Sequence, residues 1–204
     1  MAEKIDALID DLHAEADENR SDTETPDVGI IMGSDSDLDT MAGAYDALRD
    51  LGFEEVTADD RPENRFTFES YVVSAHRTPD LMSAYADTAA DRGLSVIIAG
   101  AGGKSADLPN MTASIAFPVP VIGVPVQEKS VDSVVGMPTG APIVAVDAGK
   151  SYNAGLSAAQ ILASEHDELE ERLTAYRTDL EAGVADVSRD LHARGIDGFR
   201  DRDR

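Results

Sequence analysis

Cysteine is absent from this chain. That excludes disulfides, thiolate metal sites and cysteine nucleophiles. Aromatic residues make up only 5%, so the core must be largely aliphatic, and at 42% hydrophobic residues there is enough to bury one. No apolar run approaches the roughly 18 residues that a membrane-spanning helix needs. Basic residues are scarce, with 17 against 40 acids, and only four of them are lysines. The resulting charge of −23 in 204 residues is spread along the whole chain. It argues against nonspecific nucleic-acid binding, which needs a basic surface. Two readings of the charge remain. One is an acidic protein with many basic partners. The other, favoured by the even spread and the lack of lysine, is a protein of a high-salt cytoplasm, where screening weakens self-repulsion. The first twenty residues, MAEKIDALIDDLHAEADENR, are acidic and amphipathic, unlike a signal peptide, so a cytoplasmic location is expected.

The length fits one domain with extensions. Residues 3–17 predict a helix with Ile5, Leu8, Ile9 and Leu12 on one face, and 18–26 a polar linker. Then short apolar strands alternate with helical patterns. Strands are expected at Val28–Met32, Phe68–Val73, Leu94–Ala99, Val119–Val124 and Ile143–Val146. Helices are expected at Asp37–Leu51, Pro79–Arg92 (stopped by Gly93) and Lys150–Ala163, with Ala106–Ala116 helical or irregular. This rhythm specifies an α/β fold: a three-layer α/β/α sandwich on a parallel sheet, flavodoxin-like or Rossmann-like. Glu54–Arg65 reads as an exposed polar excursion. Residues 165–193 form a long charged helix, broken near Gly183, whose apolar residues need a partner such as a neighbouring subunit. The small-residue helix before it, with Ala154, Gly155, Ala158 and Ala159, would let such neighbours approach, and the terminal GIDGFRDRDR should fray. The expected organisation is an N-terminal helix and linker (1–26), a catalytic α/β domain (27–163) and a C-terminal helix and tail (164–204).

Three loops could carry chemistry. Val72–Pro79 places His76 and Arg77 where a strand hands over to a helix, with Thr78 as N-cap and Pro79 at the first helical position. Ligands of open α/β sheets bind at that edge. Histidine can move protons near neutral pH and arginine can grip a phosphate, although a solvated loop would look the same. In Met32–Leu38, Gly33 permits a turn, Ser34 offers a hydroxyl and an amide, and Asp37 could bond ribose hydroxyls; ordinary helix capping by Ser34, Asp35 or Ser36 is the plainer account. Ala99–Ser105 carries Gly100, Ala101, Gly102 and Gly103, whose backbone amides could hold a carboxylate or CO2. Its Gly-Lys-Ser lacks the spacing of a P-loop. Leu108–Ser114 follows, in which Asn110 could face the same crevice. The proline-bracketed Pro118–Val126 reads as a structural strand. His13, His166 and His192 lie on charged helices and read as solvated. One loop histidine without cysteine makes a zinc site improbable, and no G-x-S-x-G elbow is present.

In order, Gly-Ser-x-Ser-Asp, Ser-Ala-His-Arg-Thr-Pro, Ala-Gly-Ala-Gly-Gly, Leu-Pro-x-Met and Pro-Val-x-Gly-Val-Pro-Val-Gln closely resemble the family of the phosphoribosylaminoimidazole carboxylase catalytic subunit. Its microbial members are N5-carboxyaminoimidazole ribonucleotide mutases of purine synthesis. The resemblance covers residues 27–163. It implies a homo-octamer and a transfer of CO2 from N5 to C4 of the aminoimidazole ring, without metal or other cofactor. It further implies that His76 is the general acid/base. Ser34, Asp37 and Arg77 would bind ribose and phosphate, Ser74 would lie beside the phosphate, and the 100–103 loop with Leu108 would surround the migrating carboxylate. The chain departs from the family's usual Ala-His-Leu-Pro by carrying Asp107 in Ala106-Asp107-Leu108-Pro109, with an extra residue before it. An acid there bears on whether the enzyme is a mutase or a carboxylase of free CO2. A non-enzymatic flavodoxin-like nucleotide-binding module is the alternative from outside the family, but the loops lack the aromatic residues a flavin module would want.

Overall fold

A computed structural model describes residues 2–18 and 25–202, so most of the expected linker lies outside the described residues. Six strands form one sheet: β1 (Val28–Met32), β2 (Glu54–Val56), β3 (Thr67–Val72), β4 (Val96–Ala101), β5 (Val121–Pro125) and β6 (Val144–Ala145). Their order is β2-β3-β1-β4-β5-β6, and every neighbouring pair is parallel. Without the three-residue edge strand β2, this is the flavodoxin-like order. The central strands β1, β4 and β5 are buried along their whole length. Their continuous apolar runs follow from having both faces covered.

The helices are α1 (Ala2–Asp17), α2 (Leu38–Asp50), α3 (Pro79–Asp87), α4 (Leu108–Ile115), α5 (Val131–Val135), α6 (Ser151–Ala163) and α7 (Asp167–Arg200). Two glycines show that α2 and α3 cover opposite faces. A Cβ on Gly29 would strike the Tyr85 hydroxyl of α3 at 2.2 Å, and one on Gly100 would strike the Met41 sulfur of α2 at 2.1 Å. Gly100 is in register with Met32, three residues from Gly29. Side chains alternate along a strand, so an odd offset puts the two contacts on different faces. On the α3 face, α1 and α4 pack against α3, and Leu12 of α1 is 1% exposed within the core.

That face also holds a buried charge cluster. The Tyr85 hydroxyl donates to Glu69 Oε1 (2.7 Å), while Arg92 Nη2 and Nη1 donate to Glu69 Oε1 and Oε2 (2.8 and 3.0 Å). Arg92 Nη1 also reaches Glu15 of α1 at 3.4 Å, and Glu15 receives Arg61 Nη2 at 2.7 Å. The cluster thus ties α1 to the sheet and to the segment after β2.

Several expectations need correction. The excursion at 54–65 begins as strand β2, because Glu54–Val56 pair with Thr67–Glu69 of β3. Helix α3 ends at Asp87 rather than Arg92, and Thr88–Gly93 turn the chain into β4. Thr78 does not cap α3 with its side chain: its Oγ1 is turned back to Ser74, accepting from that N–H (2.9 Å) and donating to that carbonyl (3.3 Å). The small-residue stripe of α6 does not await a neighbouring subunit. It is filled by α2 of the same chain, since a Cβ on Gly155 would lie 2.7 Å from both the Ala44 carbonyl and the Ala47 Cβ.

The chain divides into a unit of residues 1–162 and a second of 163–204. In the second, α7 continues unbroken past Gly183, and its non-helical residue is Gly195 (φ 68°). Beyond Gly195 the helix assignment runs on to Arg200. Exposed pairs along it, Arg177–Glu181 (3.0 Å) and Arg189–Asp186 (2.8 Å), sit at helical spacing and support a charged helix surface. Leu180, Val184, Val187 and Leu191 are exposed on the same helix.

Candidate active site

Because all six strands run the same way, the segments that follow β1, β3, β4 and β5 leave the sheet at one edge. Strand order reverses at β1, which has β3 on one side and β4 on the other, so the segments there part and leave a crevice. A cavity of about 480 Å³ occupies it. That volume lies in the range of small-ligand sites.

The segment after β1 supplies Gly33, Ser34, Ser36 and Asp37 to the cavity. Gly33 N–H still follows the sheet, donating to the Gly100 carbonyl (3.0 Å). Ser34 Oγ then accepts from Ser36 N–H at 3.4 Å and caps the 3-10 turn Asp35–Asp37, so both the capping role and the cavity position hold for this residue. Asp37 is only 7% exposed. Burial raises its carboxyl pKa above the usual 3.8, against the pull of the Gly102 and Ser34 N–H groups that bond it and of the Arg77 charge. A Cβ on Gly102 would come within 3.0 Å of Asp37 Oδ1, which is why the β4 segment approaches this carboxylate through a glycine.

The segment after β3 is a tight self-bonded turn. Ser74 Oγ accepts from Arg77 N–H (3.2 Å) and Arg77 Nε (3.3 Å), while Arg77 Nη2 donates to the Gly33 carbonyl (2.7 Å). The guanidinium therefore clamps the β3 segment to the β1 segment. His76 stands exposed between Ala75 and Arg77 and lines the cavity.

The segment after β4 contributes Ala101, Gly102, Gly103, Ser105, Asp107 and Leu108. Gly103 has φ +86° with no atom near its missing Cβ, so the conformation, not crowding, calls for glycine. Its carbonyl is held by Ser130 Oγ at 2.8 Å. Of Gly100, Ala101, Gly102 and Gly103, only Gly100 does not line the cavity: it faces Met41 from inside β4. Asn110 does not face the crevice either. Its Nδ2 donates to the Ser133 carbonyl (2.8 Å), tying α4 to α5.

Sequence reasoning passed over two residues. Gln127 and Lys129, just beyond β5, line the cavity beside His76 and Arg77. The proline-bracketed strand hid them, although the strand-end rule applies to β5 as it does to β4. Asp107 was visible only as a departure from a family pattern. Its Oδ2 lies 3.1 Å from His76 Nε2, and its Oδ1 accepts from Ser133 Oγ at 2.7 Å. No group of metal-ligand type is found among the described residues.

The arrangement offers a histidine for proton transfer, an arginine and a lysine for anionic groups, a buried carboxylate for hydroxyls, and glycine backbone for close approach. A family model described as AIR carboxylase matches residues 27–182. The N5-carboxyaminoimidazole ribonucleotide mutase of Synechocystis is 45% identical over 184 residues, covering 87% of this chain and 96% of that protein. The enzyme of the same name from Bacillus subtilis is 45% identical over 174 residues, covering 81% and 98%. The crystal structure of Treponema denticola PurE shares the fold, with a TM-score of 0.65 and 23% identity over 80% of this chain and 97% of that one.

Proposed function

The chain belongs to the AIR carboxylase family, and from that premise we propose that it is an N5-carboxyaminoimidazole ribonucleotide mutase of purine biosynthesis. The observation that carries the site assignment is the meeting of Ser34, Asp37, His76 and Arg77 in one cavity. In this reading Ser34 and Arg77 hold the phosphate with Ser74 beside them, and Asp37 accepts from the ribose. The backbone of Ala101, Gly102 and Gly103 and the Leu108 side chain enclose the migrating carboxylate. Lys129, on the rim, adds charge for an anionic substrate.

The reaction balances within the substrate. The N5–carboxyl bond breaks, leaving its electron pair on nitrogen and CO2 in the cavity. C4 attacks that carbon and then carries one hydrogen too many. His76 takes the C4 proton, restoring the aromatic ring, and N5 gains one proton. One acid/base group is thus sufficient, and no other reactant is consumed. Confinement matters because CO2 that escapes is lost to the reaction; holding the two fragments in place turns recombination into an intramolecular step.

The test is to supply either N5-carboxyaminoimidazole ribonucleotide or aminoimidazole ribonucleotide with bicarbonate, both without ATP. Consumption of the first supports the mutase, and consumption of the second alone overturns it in favour of a carboxylase. His76→Asn should lower turnover by about 10²–10⁴ while the protein stays folded and binds substrate. Near-normal turnover would sink the assignment of His76.

The same reading extends to assembly and setting. A homo-oligomer, an octamer by family resemblance, is supported by the exposed Leu180, Val184, Val187 and Leu191 of α7. Light scattering in molar salt on the full chain and on a chain ending at residue 164 checks it: equal, monomeric masses refute it. A cytoplasmic, high-salt setting is supported by the charge of −23. No helix among the described residues is long and apolar enough to cross a membrane.

A further inference from the structure

We infer that Asp107 is the positioning residue for His76, and that it makes Nδ1 the imidazole nitrogen that exchanges protons with the substrate. The inference rests on the reading of His76 as the proton-transfer residue.

An ionised carboxylate only accepts hydrogen bonds. Asp107 Oδ2 lies 3.1 Å from His76 Nε2, where an unprotonated nitrogen would set its lone pair against the carboxylate, so Nε2 carries the hydrogen. A neutral imidazole has one protonated nitrogen and one lone pair, which leaves the lone pair on Nδ1. The contact therefore selects one of two tautomers and one of two ring faces. Without it, the selection would be costly to maintain. The His76 side chain is 59% exposed, and Asp107 is the carboxylate paired with it among the described residues. An imidazole that free samples several rotamers and both tautomers, and only one combination can serve as base.

Asp107 is itself held from behind. Its second oxygen accepts from Ser133 Oγ at 2.7 Å. Ser133 belongs to α5, and the Ser133 carbonyl is gripped by Asn110 of α4 at 2.8 Å. Asp107 is the residue immediately before α4. The clamp between α4 and α5 thus fixes the carboxylate at Oδ1, which leaves Oδ2 aimed at the ring. When Nδ1 takes the C4 proton, the ring becomes an imidazolium and the adjacent carboxylate stabilises its charge. This is the logic of an acid that orients a histidine and balances its charge.

The experiment combines nitrogen-15 NMR of histidine-labelled protein with steady-state kinetics. The chain has four histidines, and His76→Asn identifies the resonances of His76. The neutral ring of the wild type should carry its proton on Nε2, and Asp107→Ala should give a mixture of tautomers. In the same variant kcat should fall about 10–100-fold, the scale for loss of an outer partner that orients a functional histidine, with KM within about twofold. Ser133→Ala removes only the hydroxyl behind Asp107 and should move both readouts the same way by less. It keeps the test decisive if Asp107→Ala loses its fold. A wild-type ring protonated on Nδ1 would overturn the inference. So would a wild-type kcat in Asp107→Ala beside an inactive His76→Asn. Near-normal turnover in His76→Asn would instead overturn the underlying reading of His76, and the inference with it, whatever the tautomer.

Discussion

Replacing Glu69 by glutamine should be among the most destabilising single changes available in this chain. The side chains of Arg92 and Glu69 are 1% and 6% exposed, and the carboxylate receives three donors within 3.0 Å. Glutamine keeps the volume but removes the charge, and its single carbonyl oxygen cannot satisfy two guanidinium nitrogens and a phenol. Burial alone would lower the Arg92 pKa, but Glu69 more than reverses this and holds it above its ordinary value. Once that partner is gone, the guanidinium still does not shed its proton at any ordinary pH, so the charge stays buried with only the longer contact to Glu15, 3.4 Å from Nη1, to offset it. Breaking a buried pair in this way costs about 3–5 kcal/mol. For a chain of this size, 1 kcal/mol moves Tm by about 2–4 °C, so Glu69→Gln should melt roughly 6–20 °C below wild type. Replacing the whole cluster tests the same reasoning from the other side. Glu69→Met with Arg92→Met and Tyr85→Phe leaves no orphaned polar atom among the three, and should recover most of the loss. Glu15 keeps Arg61 as a partner in that variant. Thermal and urea melts at constant high salt are the assay, because salt then screens surface pairs equally in every variant. A Glu69→Gln protein within about 1 kcal/mol of wild type would refute the picture of a dry, obligatory pair.

Other outcomes follow from the site and the charge. Burial raises the Asp37 pKa, so its folded-state preference for the neutral form is fully expressed below about pH 3.8 and is lost as pH rises through the folded value. Asp37→Asn should therefore raise Tm at pH 7, by a margin that closes as pH falls toward 4, while weakening substrate binding; a margin that widens on acidification would contradict burial as the cause. Arg77→Lys keeps the charge but cannot bond the Gly33 carbonyl and Ser74 Oγ together. KM should rise about tenfold or more, on the scale of one charge-assisted bond, while affinity for the nucleoside without phosphate stays unchanged; equal losses for both would make Arg77 structural. At −23, dilution from molar to tens of millimolar salt should lower Tm, and a melt indifferent to salt would refute the high-salt reading.

Strand β1 was legible to the residue, since Val28–Met32 is an apolar run bounded by a polar loop and a glycine turn. The loops carrying Ser34, Asp37, His76, Arg77 and Gly102 were legible too, because each directly follows an apolar strand. What local pattern does not carry is lateral order. Nothing in the polar stretch after Gly52 announces that Glu54–Val56 will pair with β3, because edge strands lack the apolar signature of central ones. Lys129 and Gln127 reach the cavity only because β5 lies next to β4. The bond from Ser133 to Asp107 and the pairing of Asp107 with His76 join residues 26 and 31 positions apart, across three elements. Gly183 looked like a helix breaker but lies where an exposed helix tolerates glycine; at Gly195 the backbone adopts a positive φ.

The reversal of strand order at β1 also makes the sheet a ruler. Neighbouring strands lie about 4.8 Å apart, so the ends of β3 and β4, on either side of β1, are held roughly 10 Å apart, close to the span of a heterocycle joined to a sugar. That interval is set by backbone hydrogen bonds between strands and is independent of which side chains the loops carry. Loop sequence can change the chemistry while the gauge between the loops stays constant. A graft that exchanged residues 33–37, 74–78 and 102–107 together, leaving the strands untouched, would give a new ligand the same frame; a slip of one residue in β4 would move its loop by about 3.3 Å and turn every side chain of that strand to the opposite face.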